Sequence, residues 1–434
     1  MRAAEPVGSD IEPVCASLLY LLEKRPTSLR AVLEEARPRV PRRLLNATCL
    51  GVLRNYKLVE RMLRTCSYEP PARGSRNYWL KIVGGYEAVF RKQVVTISRV
   101  VQKTGLPHST ATCLRRLSPE DAVRGIRDRV RRLAVLYSLP RWVVEEFMRL
   151  EPPGGVEALL SSLQRPSPLW LRVNTRRLAR GEALRLLRER GIAAEPDPLL
   201  HDMVMVEEAA PGAMEELDRS IFYPEDRAPA AAVHMLNRSM GRGAARLLDL
   251  FSAPGNKAAH LAWLRPGLLF YSVEISPRRL VAEKKLHVVE EVGLQGVYVL
   301  ALAEQPPLRR EAFDAAIVDP DCTSLGRLGH SPETRLFLEK VGRAILRRAR
   351  AVQEAGLLAA ASHVRRGGVV LYTTCTLTLE ENEGVVEKLV DEGVFEPVES
   401  GIEVGVAGRV RGSRRFYPHL TRSTGGFAVI LRRL

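Results

Sequence analysis

The sequence predicts an α/β protein. Its C-terminal part reads as an open, mainly parallel sheet, preceded by a small α+β module and an all-helical N-terminal domain. Three observations carry that expectation. Residues 226–434 alternate short apolar runs with helix-length stretches, the pattern of repeated βαβ units. Residues 10–150 are rich in Leu, Arg and Ala at helical spacing between proline and glycine breakers. Residues 151–225 mix both textures after the joint Pro152-Pro153-Gly154-Gly155.

In the helical part, Leu18, Leu19, Leu22, Leu29, Val32 and Leu33 form one apolar stretch, and Leu44, Leu45, Cys49, Val52, Leu53 and Tyr56 another. Residues 87–104 and 119–136 read the same way. Pro26, Pro38, Pro41, the Pro70-Pro71 pair, Gly105, Pro107 and Pro119 separate them. The module at 151–225 offers a strand at 169–174, a helix at 181–190 and a strand at 203–206. In the C-terminal part the expected strands are 246–251, 268–273, 297–302, 315–318, 369–372 and 427–431, with helices at 278–292 and 334–364.

Composition narrows the class. A chain of 434 residues with 46% hydrophobic content can build more than one core. No apolar run approaches ~18 residues, so no membrane partner is expected. A basic, then apolar, leader is absent from the N-terminus, which points to a cytoplasmic protein. The net charge is +16, and arginine supplies most of the 66 basic residues. Arginine binds phosphate in bidentate fashion and stacks on bases, so RNA is the expected partner. A surface biased by composition or heat adaptation is the plain alternative. The six cysteines form no CxxC pair, which argues against a structural metal or a disulfide framework, and fits a reducing compartment. Cys15, Cys49, Cys66 and Cys113 fall on helical stretches and read as small packed hydrophobes.

Cys322 and Cys375 differ. Each follows an apolar run that reads as a strand, in Val318-Asp319-Pro320-Asp321-Cys322-Thr323 and Tyr372-Thr373-Thr374-Cys375-Thr376. Ligands of open parallel sheets gather beyond the carboxyl ends of the strands, so both thiols can share one cleft. A thiolate is a strong nucleophile where donors or positive charge lower its pKa. Lys257 is the nearest candidate for that charge. Asp321 is placed to raise the pKa of Cys322 by repulsion.

A third feature is the turn Phe251-Ser252-Ala253-Pro254-Gly255-Asn256-Lys257 after the run ending at Leu250. Its small side chains let backbone approach a ligand, and N–H groups at the following helix start can hold a carboxylate. Glu274, at the end of the next strand, can bind a ribose diol; capping the helix that opens at Pro277 is the alternative. The pattern lacks both G-x-G-x-x-G and GxxxxGK[ST], against a plain dinucleotide fold and against ATP hydrolysis.

These segments together resemble the Sun-type RNA cytosine-5 methyltransferases, in the branch that carries a NusB-like helical domain. The family's D-x-x-A-A-P-G-G-K-T is similar to Asp249 through Ala258. Its Y-S-T-C-S…E-E-N-E is similar to Tyr372 through Glu383. Its R-V-N-T matches Arg172-Val173-Asn174-Thr175, and its R-x-x-P-H…G-F end matches Arg415 through Phe427. The resemblance covers roughly residues 135–434 and implies a Rossmann-like methyltransferase sheet using S-adenosylmethionine. It implies that Cys375 attacks C6 of cytosine and that Cys322 helps remove the C5 proton and release product. By the same resemblance Asp319 binds the amine edge of the base, and Lys257 lies near base and cofactor. The implied cofactor site is Ser252, Ala253, Pro254, Gly255, Asn256, Lys257, Glu274, Arg279 and Asp319. No metal is implied, and a monomer is expected. The NusB-like resemblance favours ribosomal over transfer RNA.

The chain departs from the family in several places. Asp319-Pro320-Asp321-Cys322 replaces D-A-P-C. Asn256 replaces the second glycine, being a residue that tolerates left-handed backbone. Glu274 stands for the usual Asp, and the third motif's acid is missing, with Glu304 the nearest substitute. These substitutions support a second reading, a non-catalytic RNA-binding assembly factor, against which the four intact residues Cys322, Cys375, Asp319 and Lys257 count. A third reading, methylation of an exocyclic amine, needs no covalent thiol. His260 reads as packing or solvent-facing, and Arg172 as an RNA or linker contact.

Overall fold

The computed structural model describes residues 10–289 and 295–434. They form two compact units, Met1–Arg165 with Leu328–Arg343, and Pro166–Arg327 with Ala344–Leu434.

The first unit is helical. Helices Ile11–Lys24, Arg42–Thr65, Arg76–Phe90, Ile97–Thr104 and His108–Arg116 surround a core of Leu18, Leu19, Val52, Tyr56, Trp79, Ile82 and Leu114. The expected stretch 87–104 is two helices, because Lys92 through Val95 turn the chain before the Thr96 hydroxyl caps the second one. The stretch 119–136 likewise divides into Pro119–Val123 and Arg129–Leu136. Two disulfides, Cys15–Cys49 and Cys66–Cys113, correct the expectation of inert thiols. Each joins residues distant in sequence whose Cα atoms the packing brings within 5.7 and 5.8 Å. They also remove the cysteine-based argument for a reducing compartment.

The segment Leu328–Arg343 leaves the second unit's sequence and packs in the first. Its helix Thr334–Val341 is held by Glu339, which accepts from Tyr56 at 2.6 Å and Arg73 at 2.8 Å and pairs with Lys57 at 2.7 Å. Arg335 is fully buried and donates to the carbonyls of Leu328 and Leu163 and to Gln164. The single helix expected over 334–364 is therefore two, Thr334–Val341 and Ala344–His363, parted at Gly342, whose φ is +65°.

The second unit holds two sheets. The smaller has strands β1 (Leu169–Val173), β2 (Ile192–Pro196), β3 (Met203–Ala209) and β4 (Phe222–Pro224) in the order β2-β3-β1-β4, all antiparallel. The larger contains β5 (Arg246–Leu250), β6 (Leu269–Glu274), β7 (Gln295–Leu300), β8 (Phe313–Val318), β9 (Val364–Thr374), β10 (Phe395–Val398), β11 (Val406–Ala407), β12 (Arg414–Phe416) and β13 (Gly426–Arg433). Its order is β11-β12-β13-β9-β8-β5-β6-β7, with β10 also on β13. Strands β5 to β9 run parallel, and β13 returns antiparallel beside β9.

All six expected C-terminal strands are present, with ends shifted by a few residues. Their apolar runs are continuous because helices cover both faces. Leu247, Ile317, Leu371 and Ile430 pack on one face, and Leu248, Val318, Val370 and Val429 on the other. Trp170, Met203 and Met205 of the small sheet share the first of these cores. The helix expected over 278–292 is Pro277–Val289, and the remainder of that span lies outside the described residues. The chain runs outward from β5 through β6 to β7, then returns to β8 on the other side of β5. That reversal between β5 and β8 is where open α/β sheets bind their ligands.

Candidate active site

Four loops meet at the carboxyl ends of β5, β6, β8 and β9. The Cys322 and Cys375 sulfurs lie 3.0 Å apart, both half-buried and free of any disulfide. The loops that carry them are pinned together. Gly326 N–H donates to the Cys375 carbonyl at 3.0 Å, and Gly425 N–H to the Gly326 carbonyl at 2.9 Å. A Cβ at Gly326 would fall 2.0 Å from the Gly425 carbonyl oxygen, so only glycine fits. Glu381 is fully buried and accepts from the Thr323 N–H, the Thr323 hydroxyl, Thr378 and Gln353. Arg415, from β12, forms a buried ion pair with Glu383 and donates to the Leu377 carbonyl at 2.9 Å. Glu381, Glu383 and Arg415 thus hold the thiol loops without facing a ligand. The motif contained them, but their function is legible only once their partners are known.

The two sulfurs are electrostatically unequal. The hydrogen bond from Cys322 pulls the Cys375 thiol below its ordinary value against the effect of burial, with help from Ser324 and Arg327. The same contact, burial and Glu381 push Cys322 well above its ordinary value. Of the two sulfurs, the surroundings favour the anion on Cys375 and the proton on Cys322. Lys257, the residue expected to supply positive charge to the thiols, is paired with Asp319, and the leading cation acting on Cys375 is Arg327. Asp321 is exposed, and Glu381 is the leading acid that raises Cys322.

Lys257 forms an ion pair with Asp319. Burial lowers the ammonium pKa, but Asp319, Asp249 and Glu225 outweigh it, and the net shift is upward. Lys257 therefore stays charged. At the end of β5, burial and the nearby Glu283 push the Asp249 carboxyl well above the usual range.

The turn 251–257 has the expected form with one change. Left-handed backbone falls on Phe251, φ +66°, and on Gly255, φ +93°, while Asn256 begins the helix Asn256–Leu264. A Cβ at Gly255 would lie 2.5 Å from His287 Nε2 and 2.7 Å from Glu283 Cγ. Ser252 donates to Glu283 at 2.7 Å, and Arg279 donates to the Ala253 carbonyl at 2.9 Å while facing Glu274 at 3.4 Å. Pro254 is exposed. Glu274 is buried at the end of β6 and accepts from Ser276 N–H at 2.8 Å, the helix-start contact expected of it. Glu304 is half-buried in the loop after β7.

The fully buried Arg172 corrects the expectation of an RNA contact, and His260 is packed, one of the two placements expected of it. Arg172 is fully buried; it pairs with Glu225 at 2.7 Å, donates to the Asn256 carbonyl at 3.1 Å and lies 4.1 Å above the Trp263 ring. His260 is also fully buried, between Asp202 at 2.8 Å and Glu225 at 3.1 Å. Burial opposes its charge, but Glu225 and Asp202 raise its pKa to about 9. Asp202 also accepts from His234 at 2.7 Å, so both of its oxygens are taken by histidine. This buried network anchors the start of the helix that carries Lys257.

Residues 239–432 match the family described as 16S rRNA methyltransferase RsmB/F, and residues 139–212 match its ferredoxin-like domain. The chain belongs to the RsmB/F methyltransferase family. It is similar to ribosomal RNA small subunit methyltransferase B of Yersinia pestis, 25% identical over 400 residues, covering 86% of this chain and 88% of that protein. Among solved structures it resembles PH0851, with a TM-score of 0.75 and 19% identity over 99% of this chain and all of that one. It also resembles NSun6 from Pyrococcus horikoshii with SFG, with a TM-score of 0.59 and 21% identity over 68% of this chain and 98% of that one. A member of the RsmB/F family is an RNA methyltransferase with S-adenosylmethionine as its methyl donor.

The residues present fit that donor. Glycine at 255 lets the turn pack closely against His287 and Glu283, Glu274 sits at the strand end, and the buried Asn256 Oδ1 has no protein donor. An acceptor left open at a helix start is suited to a ligand N–H.

Proposed function

We propose that this RsmB/F methyltransferase places the methyl group on C5 of a cytosine in RNA through a transient Cys375–C6 bond. Ribosomal RNA is favoured over transfer RNA, in keeping with the names of its family and relatives. The observation that carries the reading is the 3.0 Å contact between two sulfurs of opposite character.

C5 of cytosine is a weak nucleophile. Attack of the Cys375 thiolate on C6 places the electron pair across C5 and N3, and C5 then takes a methyl group. S-adenosylmethionine supplies that methyl group as an electrophilic sulfonium substituent. Cys322 first gives its own proton to solvent water and then, as thiolate, accepts the C5 proton; the C5–H electrons expel Cys375 from C6 as thiolate, and one proton is released per methyl group transferred. Asp319 holds Lys257 through Oδ2, leaving Oδ1 for the amine edge of the base. Lys257 keeps a positive charge beside that edge while the ring is negative. The target base must leave any stack to reach the sulfur. The net charge of +16 supplies attraction to phosphate, so binding should weaken steeply with salt.

The test is methyl transfer from labelled S-adenosylmethionine to ribosomal RNA and to transfer RNA, followed by nucleoside analysis. Label in 5-methylcytosine from wild type and none from Cys375→Ala is the expected result. Label on the exocyclic amine, or RNA binding with no transfer at all, overturns it.

A further inference from the structure

Ser324 lies two residues beyond Cys322. Its Oγ is 3.4 Å from Cys375 Sγ and 3.9 Å from Cys322 Sγ. Those two sulfurs are the contacts of its hydroxyl among the described residues. It caps no helix and closes no turn with its side chain, the usual structural uses of a loop serine.

The backbone adds an independent observation. Ser324 has a φ of +54°, the left-handed region that a residue with a Cβ disfavours. The surroundings over-determine that conformation. Thr323 N–H is held by Glu381 at 2.9 Å, Arg327 N–H donates to the Ser324 carbonyl at 3.0 Å, and Gly326 N–H is held by the Cys375 carbonyl. Leu325 between them is fully buried. Glycine would occupy this position without strain, so the strain is retained together with a hydroxyl aimed at the reacting sulfur.

We propose that Ser324 is a third catalytic group of the thiol site, its hydroxyl donating a hydrogen bond to the Cys375 sulfur when that sulfur is a thiolate. The hydroxyl keeps its own proton throughout. It favours the anion before attack on C6, and again when Cys375 leaves as thiolate. The inference rests on Cys375 being the attacking sulfur, and it deepens that assignment.

Iodoacetamide reads the thiolate with neither RNA nor cofactor present. With the other four cysteines in disulfides, Cys322 and Cys375 are the reactive thiols, and mass spectrometry separates their peptides. In Ser324→Gly and Ser324→Ala, Cys375 should alkylate about tenfold more slowly at pH 7, the loss of one hydrogen bond to an anion. The Ser324→Gly protein should melt no lower than wild type, because glycine relaxes the backbone, while methyl transfer falls with alkylation. A purely structural serine predicts that Ser324→Gly is harmless. Wild-type alkylation in both variants overturns the inference while leaving the methyltransferase reading in place. Slowed alkylation, in a protein whose wild type makes no 5-methylcytosine, overturns the functional reading and leaves the hydrogen bond standing.

Discussion

The hydroxyls of Thr323 and Thr376 meet at 2.7 Å, each one residue beyond a thiol, and Glu381 accepts from Thr323 by both its backbone and its side chain. The separation of the sulfurs is therefore set by a buried polar cluster rather than by the sulfurs themselves. Removing one partner strands the others without water. Glu381→Ala should cost about 2–4 kcal/mol of stability, the range for breaking a buried network. It should lower kcat more than it changes KM, since no substrate contact is lost. Equal alkylation rates of Cys375 in wild type and Glu381→Ala would show that the cluster does not set the sulfur geometry.

The unequal thiols predict unequal mutants. Cys375→Ala should lose methyl transfer while retaining RNA binding. Cys322→Ala should add to cytosine and stall at release, because the group that takes the C5 proton is gone. A slow-migrating protein–RNA band on a denaturing gel, seen for Cys322→Ala and not for Cys375→Ala, is the expected outcome. The reverse pattern would exchange the two assignments.

His260 ties the stability of this unit to pH. Its pKa in the folded protein, raised to about 9 by Glu225 and Asp202 in spite of burial, exceeds the ordinary 6.5. A raised folded value stabilises the protein while the histidine is protonated in both states. That contribution is complete below about pH 6.5 and is lost as pH rises through about 9. Asp202, Glu225, Arg172 and His234 share the pocket, and the carboxylates remain charged as the histidine loses its proton. The melting temperature should therefore fall between pH 6.5 and 9 in wild type and change less in His260→Gln. That variant should itself lose about 3–5 kcal/mol, because two buried acids lose a cation. A wild-type melting temperature flat over that interval would show that His260 is neutral.

What the sequence revealed divides along physical lines. Strands β5, β6, β8, β9 and β13 were legible because burial on both faces leaves an apolar run no other element explains. Cys322, Cys375, Lys257 and Glu274 were legible because each stands at a strand end or in the turn after one. Arg172 was misread because a buried charge is recognised by its partner, and its partner Glu225 lies 53 residues away; the packing of His260 was legible, but not its pairing with Asp202 and Glu225, which are distant in sequence. Ser324 was invisible for another reason: its significance lies in a positive φ and two distances, none of which one residue letter encodes. The excursion of Leu328–Arg343 into the helical unit was hidden because residues 334–364 carry one continuous helical pattern, broken only at Gly342.

The disulfides make the helical unit the place where redox conditions should act. Cys66–Cys113 closes 47 residues and Cys15–Cys49 closes 34, and both span helices that build the core of that unit. In the chain-entropy account a cross-link over a loop of this size stabilises the fold by about 3–4 kcal/mol, through the freedom it removes from the unfolded chain. Replacing Cys66 and Cys113 together by serine should therefore raise amide exchange across Ile11–Arg116, leaving β5, β8 and β9 protected as before. Cys322 and Cys375 are not part of either bridge, so alkylation of the oxidised protein without reductant should label those two cysteines and no others. Labelling of all six under native, non-reducing conditions would mean that the helical unit holds four thiols, and the serine pair should then leave its exchange unchanged.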